Sequence, residues 1–99
     1  MGVTASLSTH VLDTGRGEPA RGVRVELSRD GEQVAAGTTN DDGRIGELAR
    51  DLEPGPYTLA FHPPSPFFLR VELEIALEEG HYHVPLLVSP YSCASYRGS

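Results

Sequence analysis

Between Val3 and Arg97 the sequence repeats one device: a short run in which apolar and polar residues alternate, ended by glycine, proline, asparagine or aspartate. Alternation with a period of two puts successive side chains on opposite faces of an extended strand, and no stretch carries the 3.6-residue period of a helix. Gly22 to Arg29 is the clearest case, with Val23, Val25 and Leu27 on one face and Arg24, Glu26 and Ser28 on the other. Asp30-Gly31 then supplies a tight hairpin turn, so Glu32 to Thr38 is predicted to return antiparallel beside it. Val3 to Leu12, Arg44 to Leu48, Tyr57 to His62 and Phe67 to Leu77 read as further strands, the last with Leu69, Val71, Leu73, Ile75 and Leu77 inward. Asp13 to Pro19, Asn40 to Gly43, Glu53 to Pro56 and Pro63 to Pro66 read as the loops between them. His81 to Val88 and Tyr91 to Arg97, joined through Ser89-Pro90, make a closing hairpin. Eight such strands predict an all-β fold, an antiparallel sandwich of two four-stranded sheets, in a single domain spanning residues 1–99.

Composition narrows the partners. A formal net charge of -6, with eight scattered basic residues, argues against nucleic acid, which needs clustered Lys and Arg to displace phosphate counterions. No window approaches 18 apolar residues and the first residues lack the charged and apolar regions of an export signal, so no membrane partner and a cytoplasmic location are expected. The single Cys93 excludes an internal disulfide and a multi-thiolate metal site. With 38 % hydrophobic residues and no Trp the core is modest, and a partner subunit would stabilise it.

The sequence has no Gly-x-Ser-x-Gly elbow, Walker loop, Gly-x-Gly-x-x-Gly or Cys-x-x-Cys, which leaves the chemistry to histidines. In the closing hairpin, Tyr82, Val84, Leu86 and Val88 need the core, so His81, His83, Pro85 and Leu87 face away from it. His10 falls near the end of the first strand, also on a non-core face. A pair of imidazoles on one wet face titrates near neutral pH and can supply a base and an acid for hydrolysis. The same pair can be plain surface residues. His81-x-His83 could also present two zinc ligands, with His10 as the third such a site would need. Arg44, directly after Asn40-Asp41-Asp42-Gly43, and the terminal Tyr96-Arg97-Gly98-Ser99 have equally plain readings as solvated residues.

Three segments resemble the 5-hydroxyisourate hydrolases, transthyretin-related enzymes of urate breakdown. They are Leu7-Ser8-Thr9-His10-Val11-Leu12-Asp13, Asp42-Gly43-Arg44, and His81-Tyr82-His83-Val84-Pro85-Leu86-Leu87-Val88-Ser89-Pro90-Tyr91 with the terminal Tyr96-Arg97-Gly98-Ser99. The resemblance implies the transthyretin sandwich, four subunits with their wet sheet faces lining a central channel, and active sites where two subunits meet. Family members usually carry a short helix after the strand that here begins at Tyr57. Three prolines within Pro63-Pro64-Ser65-Pro66 leave no room for it, so it is expected to be lost or reduced. The family's Tyr-Ser-Tyr-Ser-Thr-Tyr run is here Tyr91-Ser92-Cys93-Ala94-Ser95-Tyr96, and Cys93 is expected to pack rather than react.

By resemblance, His10, Arg44, His83 and Ser99 are the catalytic candidates, and His10, Arg44, Tyr96 and Arg97 the substrate-binding ones. The implied reaction is the ring-opening hydrolysis of a cyclic amide in 5-hydroxyisourate by a homotetramer, with no cofactor and no metal. One of His10 and His83 would activate water, and the sequence leaves open which. A transthyretin-type carrier that binds a small aromatic ligand without turnover is the alternative, although a carrier has no need of two histidines and an arginine in its channel. A structural sandwich module of a larger surface protein is a third reading.

Overall fold

A computed structural model describes residues 2–98, in which nine strands run as β1 (Ala5–Asp13), β2 (Glu18–Pro19), β3 (Arg24–Arg29), β4 (Glu32–Thr38), β5 (Arg44–Leu52), β6 (Gly55–His62), β7 (Val71–Leu77), β8 (Gly80–Ser89) and β9 (Ser92–Ser95). They form a sandwich of two sheets, as the alternation predicts. One is ordered β4-β3-β6-β7 and the other β2-β1-β8-β9, with β5 also paired to β1. The second sheet therefore has five strands rather than the expected four. The extra strand is Glu18–Pro19, inside the segment read from sequence as pure loop. It lies against Leu12 and Asp13, where Pro19 is tolerated because that edge needs no N–H from it.

A second difference matters more for the site. β1 and β8 run parallel, in continuous register from Ala5 opposite Gly80 to Asp13 opposite Val88, so the sandwich is not wholly antiparallel. Turn signals reveal hairpins between neighbours in sequence, whereas a parallel pair is joined through the whole intervening chain and leaves no local mark.

The core lies between the sheets. Leu7 and Val11 of β1, Val25 and Leu27 of β3, Leu59 and Phe61 of β6, Leu77 of β7, and Leu86 and Val88 of β8 are all buried. Each contributes about 1.5–3 kcal/mol through the apolar surface it removes from water. Cys93 packs partly buried against this cluster, as expected.

The stretch Phe67–Arg70, expected to open the strand that runs to Leu77, does not join a sheet. Ser65 accounts for this: its Oγ accepts from the N–H groups of Phe67 and Phe68 at 3.1 and 2.9 Å and donates to the Pro90 carbonyl at 3.0 Å. Those amides are thus spent locally, β7 begins only at Val71, and Leu69 is 79 % exposed rather than inward. No helix forms among the described residues, in line with the proline-rich sequence of this connection. None is therefore long and apolar enough to cross a membrane.

Strand ends elsewhere shift by a few residues. β5 runs on to Leu52, and the closing hairpin turns at Pro90-Tyr91, because Ser89 still pairs with Ser92.

Candidate active site

Alternation along β1 sends Leu7, Thr9 and Val11 inward and Ser6, Ser8 and His10 to the outer face. Along β8 it sends Val84, Leu86 and Val88 inward and leaves His81 and His83 outside. The parallel register then sets Ser6 beside His81 and Ser8 beside His83. On the other side of β1, His10 is the antiparallel partner of Arg44. Directly opposed residues of an antiparallel pair share a face, so Arg44 joins the same surface. His10, Arg44 and His83, drawn from three strands, are gathered there.

Arg44 is placed by its turn. Asn40 Oδ1 accepts from the N–H groups of Asp42 and Arg44 at 2.9 and 3.0 Å, and the Asn40 N–H donates to the Arg44 carbonyl at 3.0 Å. Gly43 has φ of 74° and its carbonyl accepts from the Val11 N–H at 2.7 Å. A Cβ there would stand 2.5 Å from the Val11 carbonyl oxygen, so only glycine fits. The same turn fixes His10, whose Nε2 lies 2.9 Å from the Asp42 carbonyl oxygen. A carbonyl can only accept, so Nε2 of His10 carries a hydrogen.

His83 is held differently. Its Nδ1 lies 2.7 Å from Ser8 Oγ, which is also 2.9 Å from His81 Nε2, and His81 Nδ1 lies 2.7 Å from Ser6 Oγ. Nε2 of His83 has no hydrogen-bond partner among the described residues. Burial disfavours the charged imidazole, and Arg44, His10 and His81 add like-charge repulsion, so protonation of His83 is pushed below its usual range. The result is an imidazole whose cation is disfavoured and whose Nε2 has no partner among the described residues, on the same face as a permanent cation. Such an arrangement can take a proton from water and stabilise an oxyanion next to it.

The tail reaches this face through Gly98, whose N–H donates to the His83 carbonyl at 2.6 Å. A Cβ on Gly98 would come within 2.8 Å of the His83 ring, so the chain passes flat against the imidazole. Tyr96 is exposed, and lines with Leu73, Ile75, Tyr82, Ser95 and Arg97 a groove open between the sheets. Arg97 is not brought to the histidine face within this chain. Its guanidinium sits 4.1 Å over the ring of Tyr82, which alternates to the other side of β8, and donates to the His81 carbonyl at 3.4 Å. Ser99 lies outside the described residues.

Among those residues no three His, Cys, Asp or Glu side chains converge as a metal-binding group, so His81 and His83 lack a third ligand. His62, the remaining histidine, is on the other sheet, where its Nε2 meets Glu26 at 3.0 Å. That bond, with Arg24 beside it, holds the Glu26 carboxyl below the usual carboxylate range. Sequence reasoning missed Ser6 and Ser8. Their signal was the shared parity of Ser6, Ser8 and His10, which gains meaning only once β8 is known to lie alongside.

A model of the HIUase/Transthyretin family matches residues 7–98. The 5-hydroxyisourate hydrolase of Pseudomonas aeruginosa is 41 % identical, over 94 % of this chain and 90 % of that one. That of Deinococcus radiodurans is 40 % identical, over 94 % and 95 %. Among solved structures, the 5-hydroxyisourate hydrolase of Klebsiella pneumoniae superposes with a TM-score of 0.88 at 38 % identity, covering 96 % of this chain and 99 % of that one. The match runs through both sheets and includes every segment that builds the histidine face, and the chain belongs to the HIUase/Transthyretin family.

Proposed function

We propose that this protein is a cytoplasmic, homotetrameric 5-hydroxyisourate hydrolase that needs no cofactor. The relatives that match nearly end to end carry that name, and the outer face of β1, β5 and β8 holds the groups such a reaction requires. The observation that carries the reading is the gathering of His10, Arg44 and His83 on one face, where Ser8 holds His83 through Nδ1.

His83 Nε2 takes a proton from water, a step worth ~10²–10⁴ in rate. The resulting hydroxide adds to the ring carbonyl of the cyclic amide. Arg44 stabilises the oxyanion, a contribution of about 3 kcal/mol for one well-placed donor. When the tetrahedral adduct collapses, the carbon–nitrogen bond breaks and His83 returns its proton to the departing ring nitrogen. The product is a ring-opened carboxylic acid that ionises at neutral pH, so water has been added across one bond and no atom has changed oxidation state.

We assign the base to His83 because burial, Arg44, His10 and His81 disfavour its protonated form, whereas His10 is held by its Nε2–H on the Asp42 carbonyl and turns Nδ1 to the substrate. It binds substrate together with Arg44. Tyr96, Arg97 and Ser99 orient the ring from a neighbouring copy, which closes the outer face against water. The outer edges of β7 and β9, unpaired in the single chain, offer backbone groups for that assembly.

The test is to generate 5-hydroxyisourate from urate with uricase and follow its ultraviolet decay with and without the protein. Accelerated decay that disappears in the His10→Ala, His83→Ala double variant is the expected result. No acceleration by the wild type, or full activity in the double variant, overturns the reading.

A further inference from the structure

Behind His83 the outer face carries a linear series of side chains, Ser6, His81 and Ser8, that the proposed mechanism does not use. Ser6 Oγ, His81, Ser8 Oγ and His83 are joined end to end at 2.7, 2.9 and 2.7 Å, alternating hydroxyl and imidazole across the parallel β1–β8 ladder. Hydrogen counting restricts what this series can be. A serine hydroxyl has one hydrogen, so Ser8 donates to one imidazole and must accept from the other. Once the hydrogen at any one joint is assigned, those at the other two follow.

We infer that Ser8 and His81 are positioning residues, holding the hydrogen of His83 on Nδ1 so that Nε2 is left as a bare lone pair. The inference rests on the reading of His83 as the general base. In that polarity His83 Nδ1–H donates to Ser8 Oγ, Ser8 O–H donates to His81 Nε2, and His81 Nδ1–H donates to Ser6 Oγ, whose own hydrogen goes to water. Each of the three joints is then satisfied, and His83 Nε2 alone is left without a partner among the described residues.

A free imidazole prefers its hydrogen on Nε2, the wrong nitrogen for a base that must act through Nε2. Some group has to hold the other tautomer, a task that a buried carboxylate performs in hydrolytic triads. No carboxylate stands at His83 among its hydrogen-bond partners here, and a carboxylate would also raise its proton affinity. A hydroxyl backed by a second imidazole fixes the tautomer without adding negative charge. It therefore leaves intact the depression of His83 protonation, to which Arg44 of β5, His10 of β1 and His81 of β8 all contribute. Ser8 is 7 % exposed, so bulk water does not readily replace its hydroxyl.

The experiment combines nitrogen-15 NMR of labelled histidines with steady-state kinetics on full-length protein. In wild type, His83 is expected as the Nδ1–H tautomer. In Ser8→Ala its nitrogen shifts move towards the Nε2–H form, and kcat falls about 10- to 100-fold, the range that loss of an orienting partner costs at ligating histidines. KM stays within about twofold.

His81 is exposed, so its replacement is compatible with folding. His81→Leu reproduces both effects in milder form, whereas His81→Gln, whose amide oxygen can still accept from Ser8, restores the tautomer and most of kcat. Unchanged His83 shifts and kcat in Ser8→Ala and His81→Leu overturn the inference, as does a His81→Gln variant as impaired as His81→Leu. A wild type with no activity would instead remove the hydrolase reading, and the NMR result would still decide the tautomer.

Discussion

His10 is held through Nε2 by the Asp42 carbonyl and His83 through Nδ1 by Ser8, so the two imidazoles present opposite ring nitrogens. His83→Ala is expected to lower kcat by ~10²–10⁴, the worth of a general base, while His10→Ala raises KM more than it lowers kcat. Steady-state rates on enzymatically generated substrate check both. The pH dependence follows from the direction of the His83 shift. Because burial, then Arg44, His10 and His81, disfavour its cation, the rate is flat near neutrality and falls only below the ordinary imidazole value of about 6.5. Arg44→Gln removes one source of repulsion, so its lower but measurable rate declines at higher pH than in wild type. The same shift affects stability: the unfolded chain binds this proton more readily, so the contribution is full above about pH 6.5 and is lost as pH falls through the folded value.

At the scale of strands and turns, the Asn40–Arg44 loop does two jobs with one geometry, clasping Val11 of β1 and aiming Arg44 and the Asp42 carbonyl at His10. Gly43→Ala combines a left-handed φ with a collision against the Val11 carbonyl, and is expected to cost about 1–3 kcal/mol in urea denaturation and to depress activity further through Arg44. This turn was legible in the sequence, since Asn, Asp and Gly announce it by their own chemistry. So were the Asp30-Gly31 hairpin and the inward face of β3. Leu69 was not, because an alternating pattern cannot reveal that Ser65 captures the next two amides before a ladder forms. The parallel β1–β8 pairing was hidden for a related reason: nothing near Ser8 in sequence announces His83. The candidate residues His10, Arg44 and His83 could be named, but the Ser6–His81–Ser8 connection behind one of them depends on that register.

For the molecule as a whole, a 99-residue sandwich has little stability to spare. Phe61, fully buried between the sheets, is expected to cost about 3–5 kcal/mol when replaced by Ala, a large share of the ~5–15 kcal/mol typical of a domain. Urea denaturation measures it. Assembly would add what the small core lacks. Sedimentation is expected to show a tetramer near four times the 10.7 kDa chain mass, and apparent stability should rise with protein concentration. Removing Tyr96-Arg97-Gly98-Ser99 is expected to abolish turnover while leaving the circular-dichroism spectrum of the sandwich in place, because β9 ends at Ser95 and Tyr96, Arg97 and Gly98 are not part of the buried core.

The central β1–β8 ladder also constrains how the polypeptide can be made. Ser8 and His83 are 75 positions apart, so at ~5–20 residues per second a ribosome needs roughly 4–15 s between emitting one and the other. During that interval the nascent first strand has its long-range neighbour missing on one side, an opening for β-mediated aggregation that chaperones would have to cover. A prematurely released chain would lack His83 and the strand that completes the sheet, so incomplete copies are expected to be unstable.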